Sequence, residues 1–128
     1  MEKVVITPKK MMPPLATYSP GLRCGSMLYI SGMLSLDEAG EIVGKGDAAA
    51  QTEQVIKNLQ LVLEEAGGTL QNIVMMNIFV SDFEHYAAMN EVYAKYFSEQ
   101  PPARYCVSAG LVAPEFFIEM AATAILKD

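Results

Sequence analysis

Apolar and polar positions divide this chain into six strand-like and two helix-like stretches. "KVVIT" at 3–7 is a short apolar run stopped by Pro8. Residues 11–22, "MMPPLATYSPGL", hold three prolines, which predicts ordered loop or irregular edge structure. "SMLYISGML" at 26–34 reads as a strand broken or bulged at Gly32, and the turn at Gly40 predicts a hairpin over 33–43.

The clearest helix is 48–66. Asp47 can cap its start, and Gly67-Gly68 ends it. Val55, Leu59, Val62 and Ala66 share one face, widened by Ile56 and Leu63, so this helix should cover a sheet. "IVMMNIFV" at 73–80 is almost continuously apolar, as a central strand covered on both faces would be. A second helix is predicted over 83–97, with Ser81 or Asp82 as cap and capping-box spacing from Ser81 to Glu84. Phe83, Tyr86, Asn90, Tyr93 and Phe97 share one of its faces. Pro101 and Pro102 stop it, and strands follow at 103–111 and 116–126, joined by a turn containing Pro114.

The resulting order, βββαβαββ, predicts an α+β fold in a single domain over 1–128, with a mixed six-stranded sheet and two helices on one face. The two βαβ units suggest parallel or mixed pairing around 73–80. Strands 103–111 and 116–126 are expected to pair antiparallel across their short turn. Two helices leave the other sheet face bare, yet strand 73–80 is apolar on both sides. That face is expected to pack against another subunit.

Two charges interrupt apolar strands. Alternation places Arg104, Cys106, Ser108 and Gly110 on one side of 103–111, while Glu119 lies between Ile118 and Met120. Spacing alone favours structural readings, in which Arg104 and Glu119 form an ion pair or both sit at a wet sheet edge. The functional reading is a site. Arg104 offers a planar fork for a small carboxylate, and Glu119 could hold or deprotonate a water. Cys106 would line that pocket, since a nucleophilic thiol needs an activating base. Tyr18 in the proline-rich loop, Ser31, Gly32 and Asn90 are candidates for the same cleft. Their structural alternatives are a loop staple for Tyr18, a plain bulge for Gly32 and backbone partners for a buried Asn90.

Composition narrows the function. The net charge of −6 and the lack of a basic run argue against nucleic-acid binding. Cys24, Cys106 and the single His85 have no metal-site spacing. No apolar run is long enough to span a membrane and no secretory signal is visible, so a cytoplasmic setting with free thiols is expected. The nine methionines sit mostly in apolar stretches and read as core filling.

Four segments then carry a resemblance: "YISG" at 29–32, "AQTEQVIKNLQLVLEEAGG" at 50–68, "FVSDFEHYAAMNEVYAKYF" at 79–97 and "PPARYCVSAGLVAPEFFIEMAA" at 101–122. Together they resemble the reactive-intermediate deaminase (Rid) family, also labelled endoribonuclease L-PSP or translation inhibitors. The resemblance implies a chorismate-mutase-like fold and homotrimers with a central barrel and clefts between subunits. It implies hydrolysis of enamines and imines such as 2-aminoacrylate and 2-iminopropionate, without metal or organic cofactor. Arg104 matches the family's carboxylate-binding arginine and Glu119 its water-positioning glutamate. Tyr18, Ser31, Gly32 and Cys106 match cleft positions, and Asn90 matches a polar position on the second helix. "GLV" at 110–112 and Ala121 depart from the usual pattern and look more like the branch that deaminates 3-aminoacrylate in pyrimidine breakdown. The rival readings are a ribonuclease or translation inhibitor, and a non-catalytic ligand-binding trimer.

Overall fold

The structure is a computed structural model that describes residues 2–127. Six strands, β1 (Val4–Ile6), β2 (Gly21–Cys24), β3 (Met27–Met33), β4 (Ile73–Val80), β5 (Ala103–Ser108) and β6 (Ile118–Ile125), form one sheet in the order β1-β2-β3-β6-β4-β5. Two helices, α1 (Ala48–Glu65) and α2 (Tyr86–Tyr96), pack against each other and against one sheet face. Only β4 and β5 run parallel; every other pairing is antiparallel.

The strand period of two explains how the faces divide. Leu28, Ile30 and Met33 of β3, Met76, Ile78 and Val80 of β4, and Ile118, Met120, Ala122 and Ala124 of β6 point under the helices and are buried. Val55, Ile56, Leu59, Val62 and Leu63 of α1 complete that core with Met89, Val92 and Tyr93 of α2. Asp47 caps α1 by accepting from the Ala50 amide at 3.0 Å. Gly67, at φ +85°, ends it in the left-handed conformation that a side chain would disfavour. The buried amide of Gln51 fastens α1 to the turn before β6. Its Nε2 donates to the Glu115 carbonyl at 2.9 Å, and its Oε1 accepts from the Phe117 amide at 2.7 Å.

The opposite face of the sheet carries no helix. Tyr29, Met75, Asn77, Phe79, Tyr105, Val107, Ala121, Thr123 and Ile125 alternate onto it, and Tyr29, Tyr105, Val107 and Ile125 are exposed. It is a largely apolar surface, interrupted by Glu119.

Several sequence expectations change. Strands β5 and β6 do not pair: β4 lies between them, parallel to β5 and antiparallel to β6. The connection through 109–117 wraps the end of β4, where the Ala109 amide donates to the Val80 carbonyl and the Ser81 amide to that of Phe117. β3 and β4 are likewise separated by β6. The hairpin over 33–43 shrinks to one bridge, Leu36 to Ile42. The proline-rich segment ends in β2, a strand the pattern did not reveal. The second helix starts as a single 3-10 turn at Phe83–His85 and becomes α-helical only at Tyr86; Asp82 caps that turn, accepting from the Glu84 amide at 2.7 Å, and the Ser81–Glu84 capping box does not form.

Candidate active site

Arg104 projects from β5 toward the helices, because its register partner on β4 is Met76, which is buried under them. Tyr86, Asn90 and Tyr93, at spacings of four and three residues on α2, form the surface it meets. Arg104 Nη2 donates to Asn90 Oδ1 at 2.7 Å and to Tyr86 Oη at 3.2 Å. The guanidinium carbon lies 4.7 Å from the Tyr93 ring centroid and 5.8 Å from that of Tyr86, so two ring faces stabilise the cation. No carboxylate among the described residues lies within ion-pair distance of it; the ion pair present is His85 Nε2 to Glu84 Oε1 at 3.6 Å. Nη1 and Nε thus keep donors without a partner among the described residues.

Cys106 follows on the same side of β5, half-buried. Burial pushes its thiol above the usual range, against the opposing pull of Arg104. A thiol so placed is a wall of the pocket rather than a nucleophile. The Tyr93 hydroxyl is buried with no hydrogen-bond partner among the described residues, and burial raises it too.

Glu119 occupies the other face. It pairs in register with Phe79, which in turn pairs with Val107, all three directed to the helix-free side. Its neighbour is Gly32, in the β3 bulge between Ile30 and Met33. A Cβ on Gly32 would lie 3.0 Å from Glu119 Cδ and closer still to Oε2. What approaches that glycine is therefore the Glu119 side chain. Partial burial alone pushes the Glu119 carboxyl above the ordinary glutamate range. Ser31 Oγ donates to the Ser19 carbonyl at 2.6 Å, and the Ser31 amide donates to the Pro20 carbonyl at 2.9 Å. These bonds tie the proline-rich loop to the bulge. Tyr18 closes a turn of that loop, its hydroxyl accepting from the Leu15 amide at 3.3 Å; at 44% exposed it staples the loop without packing into the core.

The candidate residues thus fall into two groups. Arg104, Asn90 and Cys106 meet on the helix side of the edge strand; Ser31, Gly32 and Glu119 meet on the bare side, with Tyr18 on the loop beside them. The expected pairing of Arg104 with Glu119 does not exist within the chain. They lie on opposite faces of the sheet, two strand spacings apart.

A profile of the family described as endoribonuclease L-PSP matches residues 9–126. The chain belongs to this family, also called Rid. It is similar to the 3-aminoacrylate deaminase RutC of Acinetobacter baylyi, 46% identical over 124 residues that span 97% of this chain and 98% of the relative. Among solved structures, yeast Mmf1 superposes with a TM-score of 0.92 at 31% identity over 98% of this chain and all of the other. RidA from the Antarctic bacterium Psychrobacter gives 0.89 at 31% identity, over 96% and 99%. The Rid assignment agrees with the chorismate-mutase-like α+β fold, and the sheet with two helices on one face is that of these neighbours. Within it, Tyr86 and Tyr93 were not singled out from sequence as site residues. Their signal was present: with Asn90 they repeat at helical spacing opposite an arginine-bearing strand. Among the described residues, no helix is long and apolar enough to cross a membrane.

Proposed function

We propose that this protein is a deaminase that hydrolyses small carboxylate-bearing enamines and imines to an oxo acid and ammonia. The observation that carries this reading is Arg104: a half-buried guanidinium, oriented by Asn90 and two tyrosines, with no acid partner among the described residues. An arginine held this way is complementary to a carboxylate from outside the chain. The 46% identical relative is named for 3-aminoacrylate, which favours that substrate over 2-aminoacrylate.

Arg104 anchors the carboxylate. Protonation of the enamine carbon gives an iminium, water adds to the carbon bearing nitrogen, and the carbinolamine expels ammonia. Glu119 holds the water and shuttles its proton; partial burial raises its carboxyl above the ordinary glutamate range, which makes it a better proton acceptor. Positioning supplies much of the remaining rate, because imines hydrolyse readily once formed.

Arg104 and Glu119 converge only if different copies contribute them. We propose a homotrimer, with the bare sheet faces turned inward as a barrel and each cleft formed by the Arg104 group of one subunit and the Glu119 group of its neighbour. Exposed Tyr29, Tyr105, Val107 and Ile125 support this, since each has a little under half of its surface still to withdraw from water, about 0.7–1.5 kcal/mol per side chain. We place the enzyme in the cytoplasm, acting without a cofactor. The net charge of −6 weighs against an RNA substrate.

The test is a coupled ammonia assay on fresh 3-aminoacrylate and 2-iminopropionate. Arg104→Ala is expected to lower kcat/KM by roughly 10²–10³-fold, the loss of charge-assisted hydrogen bonds. Subunits carrying Arg104→Ala, unfolded and reassembled with subunits carrying Glu119→Gln, should regain part of the activity that each lacks alone. Parental ammonia release by Arg104→Ala would sink the proposal.

A further inference from the structure

Resting on that reading, one step still lacks a donor: the proton that must reach the enamine carbon. In that reading Glu119 enters the cleft from the neighbouring subunit and serves the attacking water. The Cys106 thiol is raised by burial and has no base beside it. The Tyr93 hydroxyl is enclosed in the core. His85 stacks on Phe117 with ring centroids 4.0 Å apart, and its Nε2 faces Glu84.

Tyr86 differs from all of these. It is 37% exposed, so a ligand can reach it. Its oxygen accepts a hydrogen bond from Arg104 Nη2 at 3.2 Å, which leaves its own proton outside that bond. Nothing among the described residues accepts that proton. In any ligand whose carboxylate seats on Arg104, which Tyr86 touches, the α carbon is the first atom beyond the carboxylate and every other carbon is at least one bond farther along.

We propose that the Tyr86 hydroxyl is the catalytic proton donor to the α carbon, and that this makes the site selective for 3-amino-2-enoates over 2-amino-2-enoates. In a 3-amino-2-enoate the nitrogen lone pair pushes through the C=C bond, and the α carbon takes the Tyr86 proton. A phenolate and a C3 iminium result. Water held by Glu119 adds at C3, and the proton it gives up passes through Glu119 to restore the phenol. A proton then moves from the new hydroxyl to nitrogen, the C3–N bond breaks, and ammonia leaves with its electron pair, giving the aldehyde. In a 2-amino-2-enoate the α carbon bears the nitrogen, and the carbon that needs the proton is one bond farther away. An imine needs no carbon protonation at all. Asn90 first, then Arg104, hold the Tyr86 hydroxyl below the usual phenol range, which eases the transfer.

The experiment compares the full-length protein with Tyr86→Phe and Asn90→Ala on fresh 3-aminoacrylate, 2-aminoacrylate and 2-iminopropionate. Tyr86→Phe is expected to lower kcat on 3-aminoacrylate by about 10²-fold or more, the usual worth of a general acid. On 2-iminopropionate the loss should be about tenfold, the lower end of the worth of a hydrogen bond to a charged group, because this bond is long and exposed. Wild type should prefer 3-aminoacrylate to 2-aminoacrylate. Asn90→Ala, which loosens Arg104 and also removes the contact that most lowers the Tyr86 hydroxyl, should lower both the 3-aminoacrylate and the 2-iminopropionate rates, the first somewhat more. The proposal is overturned if Tyr86→Phe loses both activities equally, loses neither, or shows the same profile as Asn90→Ala. A wild type inactive on all three substrates would instead defeat the deaminase reading, and this proposal with it.

Discussion

The two halves of the candidate site are built by opposite means. Arg104 stands on an edge strand and takes its orientation from another element: α2 supplies an amide oxygen, a phenol and a ring face. Glu119 stands on β6, inside the sheet, and takes its position from the sheet itself, where the β3 bulge and Gly32 leave it room. The cation is stabilised by contacts, whereas the anion is placed where burial disfavours its charge. Together they show that a guanidinium can be held by neutral groups with no counter-ion among the described residues, and that a carboxyl can be tuned by partial desolvation alone.

Breaking the anionic half should have the larger effect. Glu119→Gln keeps the shape and removes the proton carrier, with an expected loss of roughly 10²–10⁴-fold in kcat by ammonia release. On the cationic half, Asn90→Ala removes the 2.7 Å bond to Arg104. A hydrogen bond to a charged group contributes about 1.5–3 kcal/mol, so kcat/KM should fall by up to roughly 10–150-fold, and the melting temperature should fall by several degrees as well. Gly32→Ala sharpens the contrast, because its Cβ would collide with Glu119. Denaturant titration should show a loss of no more than about 1 kcal/mol, because the atoms met are the end of a flexible side chain that can turn aside, and Gly32→Ala/Glu119→Ala should relieve it.

The pH dependence of stability separates the halves further. The folded state holds the Glu119 proton more tightly than the unfolded chain does. Its contribution to stability is therefore full below the ordinary glutamate range and is lost as pH rises through the folded-state value. Melting temperatures measured across that window should show this decline in the wild type and less of it in Glu119→Gln. The smallest effect on activity is expected away from both halves. Tyr96 donates to Glu53 between the helices, and that bond, with lesser help from burial, raises its hydroxyl to about 12. Tyr96→Phe should cost only about 0.5–1.5 kcal/mol in urea and leave ammonia release intact.

The parts legible in the sequence were those governed by local pattern. The α1 stripe, the Asp47 cap, the two-sided apolar run of β4 and the bare sheet face all follow from periodicity and end chemistry. So did the two out-of-place charges. The pairing of β5 with β6 was misjudged because a short connection ordinarily joins neighbours. Here nine residues suffice to step over the end of β4. The apolar character of β4 was the counter-signal, since a strand covered on both faces belongs inside a sheet and needs a neighbour on each side. β2 escaped notice because four residues beside Pro20 carry too little alternation to outweigh the prolines. Asn90 was legible as a buried amide needing partners, but that its partner is Arg104 depended on the β4–β5 register. No local pattern encodes that.

The place of β6 has a consequence for how the protein is made. β6 is translated after the other five strands, yet it sits between β3 and β4 and supplies Ile118, Met120, Ala122 and Ala124 to the core. As the chain leaves the ribosome, the strands on either side have no partner to join them until residues 118–125 emerge. A nascent chain stalled before that point would present two unpaired strand edges and an open apolar seam, which is where a chaperone would be expected to bind.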